Sequence, residues 1–467
     1  MCCLLAGALP HWLSPVARVV PGLGLAALLA GHVGRVIFFR PDAAAAASSS
    51  ASAGSAPAAP TSPLPVAEPS TAAMPSPSGP PAVDVVVAAR DEEAVIGSLV
   101  ERVLRLRWPA ERLRLWVVDD GSEDSTPQRL ADLRERHPQL RVLRRERDSG
   151  GGKSGALNAV LAQLRGRWML VLDADADLPA DLLERVIPYA EKGGWGAVQL
   201  RKAETNGAHN WLTRAQAMEM AFDADIQEAR LARGGIAELR GNGQLLRRDA
   251  VQTAGGFNEA TITDDLDLSF RFLLAGLPIG VLWDPPVSEE AVATLPALWR
   301  QRQRWAEGGF QRYLDYSDQL LSDRLTPSQR WDLGAFFILQ YLLPVMVVAD
   351  AVAALLTRTP PGLWPFPLIM LTVSGFSITS GCRRGGEGPP LPPATPGNVL
   401  LTVVYLLHWF VVIPWVMLKM ALLPKSLVWQ KTMHAGAVSG TGSPDFALNT
   451  SGPTLDLDED VVISTEG

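Results

Sequence analysis

Carboxylates recur along this chain at spacings suited to holding a cation and an activated phosphate ester. LDADADLP (172–179) places Asp173 and Asp175 two residues apart, where the apolar run RWMLVLDAD (167–175) gives way to a loop. Oxygen pairs of this kind suit a hard divalent cation such as Mg²⁺ or Mn²⁺, which also takes phosphate oxygens. A departing diphosphate gains charge, and such a cation neutralises it. Asp173, Asp175, Asp177 and Glu184 also match four positions of an EF-hand calcium loop. Position six, however, is Leu178 where glycine is required, and the motif follows a strand rather than a helix. Helix capping explains Asp177 and Asp181 but leaves Asp173 and Asp175 without a purpose.

Three further motifs accompany this pair. VVDDGS (117–122) ends a second apolar run in Asp119 and Asp120. GGGKSGALN (150–158) looks like a Walker A loop, but the required first glycine falls at Arg147. What remains is a glycine-rich turn that brings backbone N–H groups and Lys153 to an anion at a helix start. TDDLDLSFRFLLAG (263–276) opens an amphipathic helix with Asp264, Asp265 and Asp267. The helix dipole accounts for one of these acids, and three exceed what capping needs. A carboxylate held there is a candidate general base toward an acceptor hydroxyl. QRQRWAEGGF (301–310) offers Arg304 for phosphate and Trp305 for stacking on an acceptor. Leu298, Trp299, Trp305, Phe310 and Tyr313 among arginines also suit an interfacial amphipathic helix near 296–316.

These groups need a scaffold, and the stretch from Val83 supplies one. VDVVVAA (83–89), LRLWVVDD (113–120), LRVLRR (140–145) and the run ending at Asp175 predict strands. Between them, 93–105 and 127–136 carry apolar residues at helical spacing. Alternation of this kind predicts an α/β fold with a mostly parallel, Rossmann-like sheet covered by helices on both faces. Ligands in such sheets sit beyond the carboxyl ends of the strands, where both aspartate turns fall.

The remaining sequence points to a membrane. The mean hydropathy of +0.11 is concentrated in Leu333–Leu356 and Val399–Leu423, each of which exceeds the roughly 30 Å of a hydrocarbon core at about 1.5 Å per residue. A third run, 363–379, is interrupted by Pro365 and Pro367; it spans, re-enters or lies in the interface. The division expected is an N-terminal anchor over 1–40, an Ala/Ser/Pro tether over 41–82, and a catalytic domain over 83–325. C-terminal membrane helices follow within 326–430, and then a largely disordered tail over 431–467. A net charge of -7 argues against nucleic acid as a partner. Three cysteines, Cys2, Cys3 and Cys382, make no disulfide framework or metal spacing and fit a reducing compartment for the globular part. Loop charges do not choose a single orientation: Arg383 and Arg384 favour one arrangement, Lys425 and Lys431 another.

Taken together, residues 83–310 resemble the catalytic domain of the family 2 glycosyltransferases, the GT-A fold shared by cellulose, hyaluronan and chitin synthases. The resemblance rests on AARDEE (88–93), VVDDGS, the DxD pair, TDD and QxxRW. It implies uridine-binding positions at Ala89, Asp91 and Asp120 beside Asp119, and a nucleotide-binding Lys153. It further implies Asp173 and Asp175 at the metal, with Asp175 the direct ligand, and Asp265 as base with Asp264 replacing the family's glutamate and Asp267 close by. Arg304 falls at the diphosphate, with Gln301 and Trp305, together with Gly241 and Asn242, at the acceptor. The reaction implied is inverting. AVQLRKA, NWLTRAQAMEM, ELRGNGQLLRR and WQKTMH resemble the branch that transfers glucose from UDP-glucose to diacylglycerol with Mg²⁺. That branch implies an integral protein of a cyanobacterial plasma or thylakoid membrane with its catalytic part cytosolic. Two other enzymes stay open, a processive polysaccharide synthase and a polyprenyl-phosphate sugar transferase, as does a non-enzymatic scaffold on a decayed transferase domain.

Overall fold

Short β-rich runs buried on both faces define the sheet-bearing half of the chain. The computed structural model describes residues 2–14, 16–36 and 79–423, so the expectations for residues 42–78 and for the tail lie outside the described residues. Seven strands form one sheet: β1 (Val83–Ala89), β2 (Leu113–Asp120), β3 (Leu140–Arg145), β4 (Trp168–Leu172), β5 (Ala197–Glu204), β6 (Gln244–Arg247) and β7 (Ile279–Glu289). Their order is β3-β2-β1-β4-β6-β5-β7. All pairings are parallel except those of β6, which runs antiparallel to both β4 and β5. The four strands expected from sequence are present, and the sheet is mostly parallel as anticipated.

Val85, Val87, Leu170 and Leu172 pack on one face of the sheet, against Ile96, Leu99, Leu130 and Leu183. Val86, Met169 and Val171 pack on the other, against Leu157, Val251, Leu268 and Phe272. Alternate side chains of a strand point to opposite faces, so a strand with no exposed face reads as a continuous apolar run. Chain order reverses between β1 and β4, and the open crevice of a doubly wound sheet lies at such a switch point.

Helices complete the two layers and then leave them. After α1 (Cys2–Ala8), α2 (Pro10–Leu13) and α3 (Val19–Val36) come the sheet-covering α4 (Ile96–Leu104), α5 (Thr126–Arg136), α6 (Gly152–Leu161) and α7 (Leu182–Gly193). The long α8 (Trp211–Leu231), the short α9 (Arg248–Thr253), α10 (Asp264–Leu274) and α11 (Leu295–Asp315) follow, then a single turn, α12 (Ser317–Leu320). Leu298 and Tyr313 of α11 are buried and Phe310 packs inward with Tyr313, so these residues do not form a lipid-facing stripe. Leu295, Trp299 and Leu314 keep the exposure that an interfacial helix requires.

Among the described residues three helices are long and apolar enough to cross a membrane: Pro327–Thr357, Pro365–Arg383 and Pro396–Leu422. The first comprises α13 (Pro327–Phe337), one wide turn at 338–342, and α14 (Leu343–Thr357). Thr326 and Gln329 cap its start reciprocally. In α15 (Pro365–Arg383) both prolines sit in the first turn, where a missing N–H costs nothing, so they start this helix rather than interrupt it. The third bends at Leu407–His408 between α16 (Pro396–Leu406) and α17 (Trp409–Leu422). Leu25 and Leu29 of α3 pack among Leu339, Leu343, Met346 and Phe366. The connection after α15 returns to the sheet. Arg384 pairs with Glu228 of α8, Glu387 lies 2.6 Å from Arg185, and the Trp283 indole donates to the Gly385 carbonyl at 2.8 Å. Arg384 therefore lies on the sheet side of the apolar helices.

Candidate active site

The parallel strands deliver their acids to one edge. Asp173 and Asp175 lie just past β4, Asp119 and Asp120 end β2, Asp91 follows β1, and Glu289 ends β7. From that edge a cavity of about 510 Å³ opens. Lys153, Asp173, Asp175, Gly241, Asp264, Asp265, Gln301, Arg304 and Trp305 line it at the polar end. Phe336, Leu339, Met370, Val373, Phe410 and Ile413 line it among the apolar helices. Residues spread over half the chain thus share one chamber.

Lys153 is the second residue of α6, after the left-handed Gly151 and Gly152, and its Nζ lies 2.6 Å from Asp173 Oδ1. Burial works against the ammonium, but Asp173, Asp264 and Asp265 outweigh it and raise its pKa. Asp265 is the counterpart. Burial first, and then the neighbouring Asp264, push its carboxyl from 3.8 up to about 6, against the Leu266 backbone N–H, Lys153 and Arg240. A carboxyl poised there accepts a proton near neutral pH. The position of an added Cβ on Gly241 lies 3.5 Å from Asp265 Oδ2, and φ is +89° there, so glycine keeps this wall open.

Beside the cavity, and outside its lining, Ala89, Asp91 and Asp120 form a shelf at the ends of β1 and β2. Ala89 is buried, and Asp91 has φ +53°, its N–H donating to Ser122 Oγ at 2.9 Å. Asp91 Oδ1 accepts from the Glu123 N–H at 2.7 Å. Asp120 pairs with Arg145 at 2.6 Å, and Arg145 also donates to the Gly150 carbonyl. Burial raises the Asp120 pKa, while Arg145 and Arg90 oppose the shift. The shelf therefore connects to the glycine turn that presents Lys153.

Two expected site residues serve the fold, and one oxygen of a third is engaged by it. Asp267 is 2% exposed and accepts from Asn258, Arg271 and Tyr316 at 2.7–2.9 Å, which leaves it no route to a substrate. Asn242 is fully buried rather than facing an acceptor; its oxygen receives the Asp173 N–H and its amide donates to Glu289. Asp119 is 1% exposed and closes the turn by accepting from the Ser122 N–H at 3.0 Å.

Residues not anticipated from sequence join the chamber. Lys202 Nζ lies 2.6 Å from Glu289, and the Glu290 N–H donates to Asp175 Oδ2 at 3.2 Å. Arg240 pairs with Asp223 and feels Asp265. The adjacent glutamates of VSEEA, directly after an apolar run, were the available signal for the first group.

Among the described residues no three His, Cys, Asp or Glu side chains converge as a closed metal site. Asp173 and Asp175 supply the kind of oxygen donors that a hard cation takes, with phosphate oxygens completing its shell.

Comparison with known proteins agrees with this geometry. Residues 80–308 match the family model described as "Glycosyltransferase like family 2". A β-monoglucosyldiacylglycerol synthase of Synechocystis sp. is 46% identical over 76% of each chain. One from Nostoc sp. is 44% identical over 76% of this chain and 77% of its own. Among solved structures, a Pyrobaculum calidifontis mannosyltransferase in complex with GDP-Man and Mn²⁺ is similar in fold. Its TM-score is 0.55 at 19% identity, covering 85% of this chain and 98% of that one. With a mostly parallel sheet, acids gathered at its carboxyl edge and relatives of this closeness, the chain belongs to the family 2 glycosyltransferases.

Proposed function

We propose that the protein transfers glucose from UDP-glucose to the 3-hydroxyl of 1,2-diacylglycerol with inversion, giving β-monoglucosyldiacylglycerol and UDP. The observation that carries this reading is the cavity itself. One chamber joins the carboxylates at the sheet edge to apolar side chains of the long helices, so a lipid reaches the polar end with its chains still among those helices. The names of the relatives at 44–46% identity point the same way.

In this reading the nucleotide lies on the Ala89–Asp91–Asp120 shelf and the diphosphate between Lys153 and Arg304. Asp173 and Asp175 would hold a divalent cation, which supplies charge neutralisation to the diphosphate when bound. Asp265 accepts the proton of the acceptor hydroxyl as its oxygen attacks the anomeric carbon, and the bond to the diphosphate breaks on the opposite side. Arg304 stabilises the charge that develops there. In this reading the catalytic half faces the cytosol, which the basic Arg383 and Arg384 at the sheet-side end of α15 support.

The test is transfer from radiolabelled UDP-glucose in membranes carrying the full chain, with diacylglycerol or a polyprenyl phosphate added. A chloroform-soluble monoglucosyl lipid with a β linkage is the expected product. Label appearing only in an insoluble polymer, or only on the polyprenyl phosphate, overturns the reading.

A further inference from the structure

The middle of the cavity holds a buried arginine that the proposed chemistry does not use. Arg302 is 1% exposed and lines the chamber two residues before Arg304. Its guanidinium carbon lies 4.1 Å from the centre of the Trp305 ring and 5.5 Å from that of Trp409. Lys202 Nζ approaches the same Trp305 ring at 5.4 Å, and Lys202 is paired with Glu289 at the sheet edge. Lys202, Trp305, Arg302 and Trp409 thus form a column leading from the acidic end of the site toward the apolar helices. Arg302 sits between Trp305 and Trp409 in that column.

Its hydrogen bonding is half complete. One terminal nitrogen, Nη2, donates to Glu219 at 2.6 Å and to the Tyr405 hydroxyl at 2.8 Å. Nε and Nη1 are buried and have no hydrogen-bond partner among the described residues. Glu219 is well occupied, since it also accepts from the Tyr405 hydroxyl and from the Trp409 indole. A buried guanidinium with two idle donor nitrogens is costly unless an acceptor reaches it. Glu219 already balances the charge, so a neutral acceptor suits this position better than a phosphate. A diglyceride held with its hydroxyl at Asp265 carries such acceptors, its ester carbonyls, a few bonds below the reacting oxygen.

We infer that Arg302 reads the ester carbonyls of the lipid acceptor, so that the protein distinguishes ester-linked from ether-linked diglycerides. This rests on the diacylglycerol reading above. The carbonyl oxygen accepts from Nε and Nη1, while Glu219, Tyr405 and the two tryptophan rings hold the guanidinium flat. An ether oxygen is a poorer acceptor and lacks the carbonyl's reach, so the ether lipid leaves both donors unmatched. The apolar chains contribute equally in either lipid and do not discriminate.

The experiment uses the purified full chain in phospholipid–detergent micelles with UDP-glucose. The acceptor is either 1,2-dioleoylglycerol or the matched 1,2-di-O-oleylglycerol, and kcat/KM is measured for each. Hydrogen bonds to a charged donor set the expected preference of the unmodified protein at about 10–100-fold for the ester lipid. Arg302→Lys keeps the charge facing Glu219 and loses the fork. It brings the ratio to within about threefold, mainly by raising KM for the ester lipid more than for the ether lipid. The double variant Arg302→Gln, Glu219→Gln, which removes both buried charges together, also loses the preference. An arginine that only supported the fold would lower both rates in parallel and keep the ratio. Equal use of both lipids by the unmodified protein, or a ratio that survives both variants, overturns the inference. If the unmodified protein glucosylates neither lipid, the diacylglycerol reading itself fails, and this inference with it.

Discussion

The side-chain oxygen of Asn242 receives the backbone N–H of Asp173 at 3.1 Å, so the loop before β6 holds the first residue past β4 in place. The Asn242 amide donates in turn to Glu289 Oε2, the carboxylate that pairs with Lys202. One buried amide therefore ties together the ends of two strands and the loop between them. Asn242→Ala leaves the Asp173 N–H without its partner at a cost of about 1–3 kcal/mol. Thermal unfolding shifts down accordingly. Transfer falls further than stability, because the Asp173–Asp175 turn loses its position, and a donor KM raised at least fivefold checks that claim.

Asp265→Asn separates chemistry from binding. Nucleotide binding by calorimetry stays within about threefold, while transfer falls by the roughly 10²–10⁴ expected of a general base. An asparagine enzyme that still transfers at a tenth of the parent rate places the base elsewhere.

The same carboxyl governs two pH profiles with worked-out signs. Its pKa is raised from 3.8 to about 6 by burial and by Asp264, so kcat/KM rises with pH through about 6 and then levels as the base ionises. Arg240 favours the ionised form, so Arg240→Gln moves that rising limb to higher pH. For stability, a carboxyl raised in the folded state opposes folding once ionised: the penalty is absent below about 4, grows toward 6 and is constant above. Asp265→Asn removes it. The variant therefore unfolds at a higher temperature than the parent at pH 7.5, and the difference closes near pH 4.

Asp267→Asn has the opposite signature. Its carboxylate joins Asn258, Arg271 and Tyr316 inside the fold, so neutralising it weakens a buried pair and lowers the unfolding temperature. Transfer stays within about fivefold and its pH profile keeps the parent shape. Loss of activity on the scale of Asp265→Asn would return Asp267 to the site.

The contrast between these two aspartates marks what could be read from sequence. The strands were legible because burial on both faces leaves nothing but apolar residues in VDVVVAA and WMLVL. The acids were legible because they end such strands, and the carboxyl edge of a doubly wound sheet is where ligands sit. Which acid of TDDLD faces the chamber was not legible, since residues two apart stand about 200° apart around a helix and the core-facing side is set by distant partners. The same holds in QRQRW, where Arg302 and Arg304 alternate and only packing against Glu219 and Trp409 separates them. Pro365 and Pro367 misled for a related reason: a proline pair breaks a helix interior but begins a first turn well.

Glu238 couples α11 and α8 to the apolar half, and its removal is the most informative structural change. It is fully buried and meets Arg312 of α11 at 2.7 Å, Arg240 at 3.2 Å and Arg230 of α8 at 3.5 Å. Arg230 continues to Asp332 of α13 at 2.8 Å, and Arg312 lies over the Phe270 ring of α10. Burial alone would raise the Glu238 carboxyl, but Arg312, Arg240 and Arg230 outweigh it and hold its pKa down at about 2. A carboxyl depressed in this way stabilises the fold above its unfolded value of 4.5, and that stability is lost as pH falls toward 2. Glu238→Gln strands buried guanidinium charge and costs about 3–5 kcal/mol, by the measure of other broken buried pairs. Because Arg240 also faces Asp265, the variant frees its guanidinium to compensate that base more fully, and the rising limb of kcat/KM moves to lower pH. Thermal unfolding between pH 3 and 7, read beside the pH–rate profile, checks both effects: a variant with parent stability at pH 7 would mean that the arginine cluster is held without its central carboxylate.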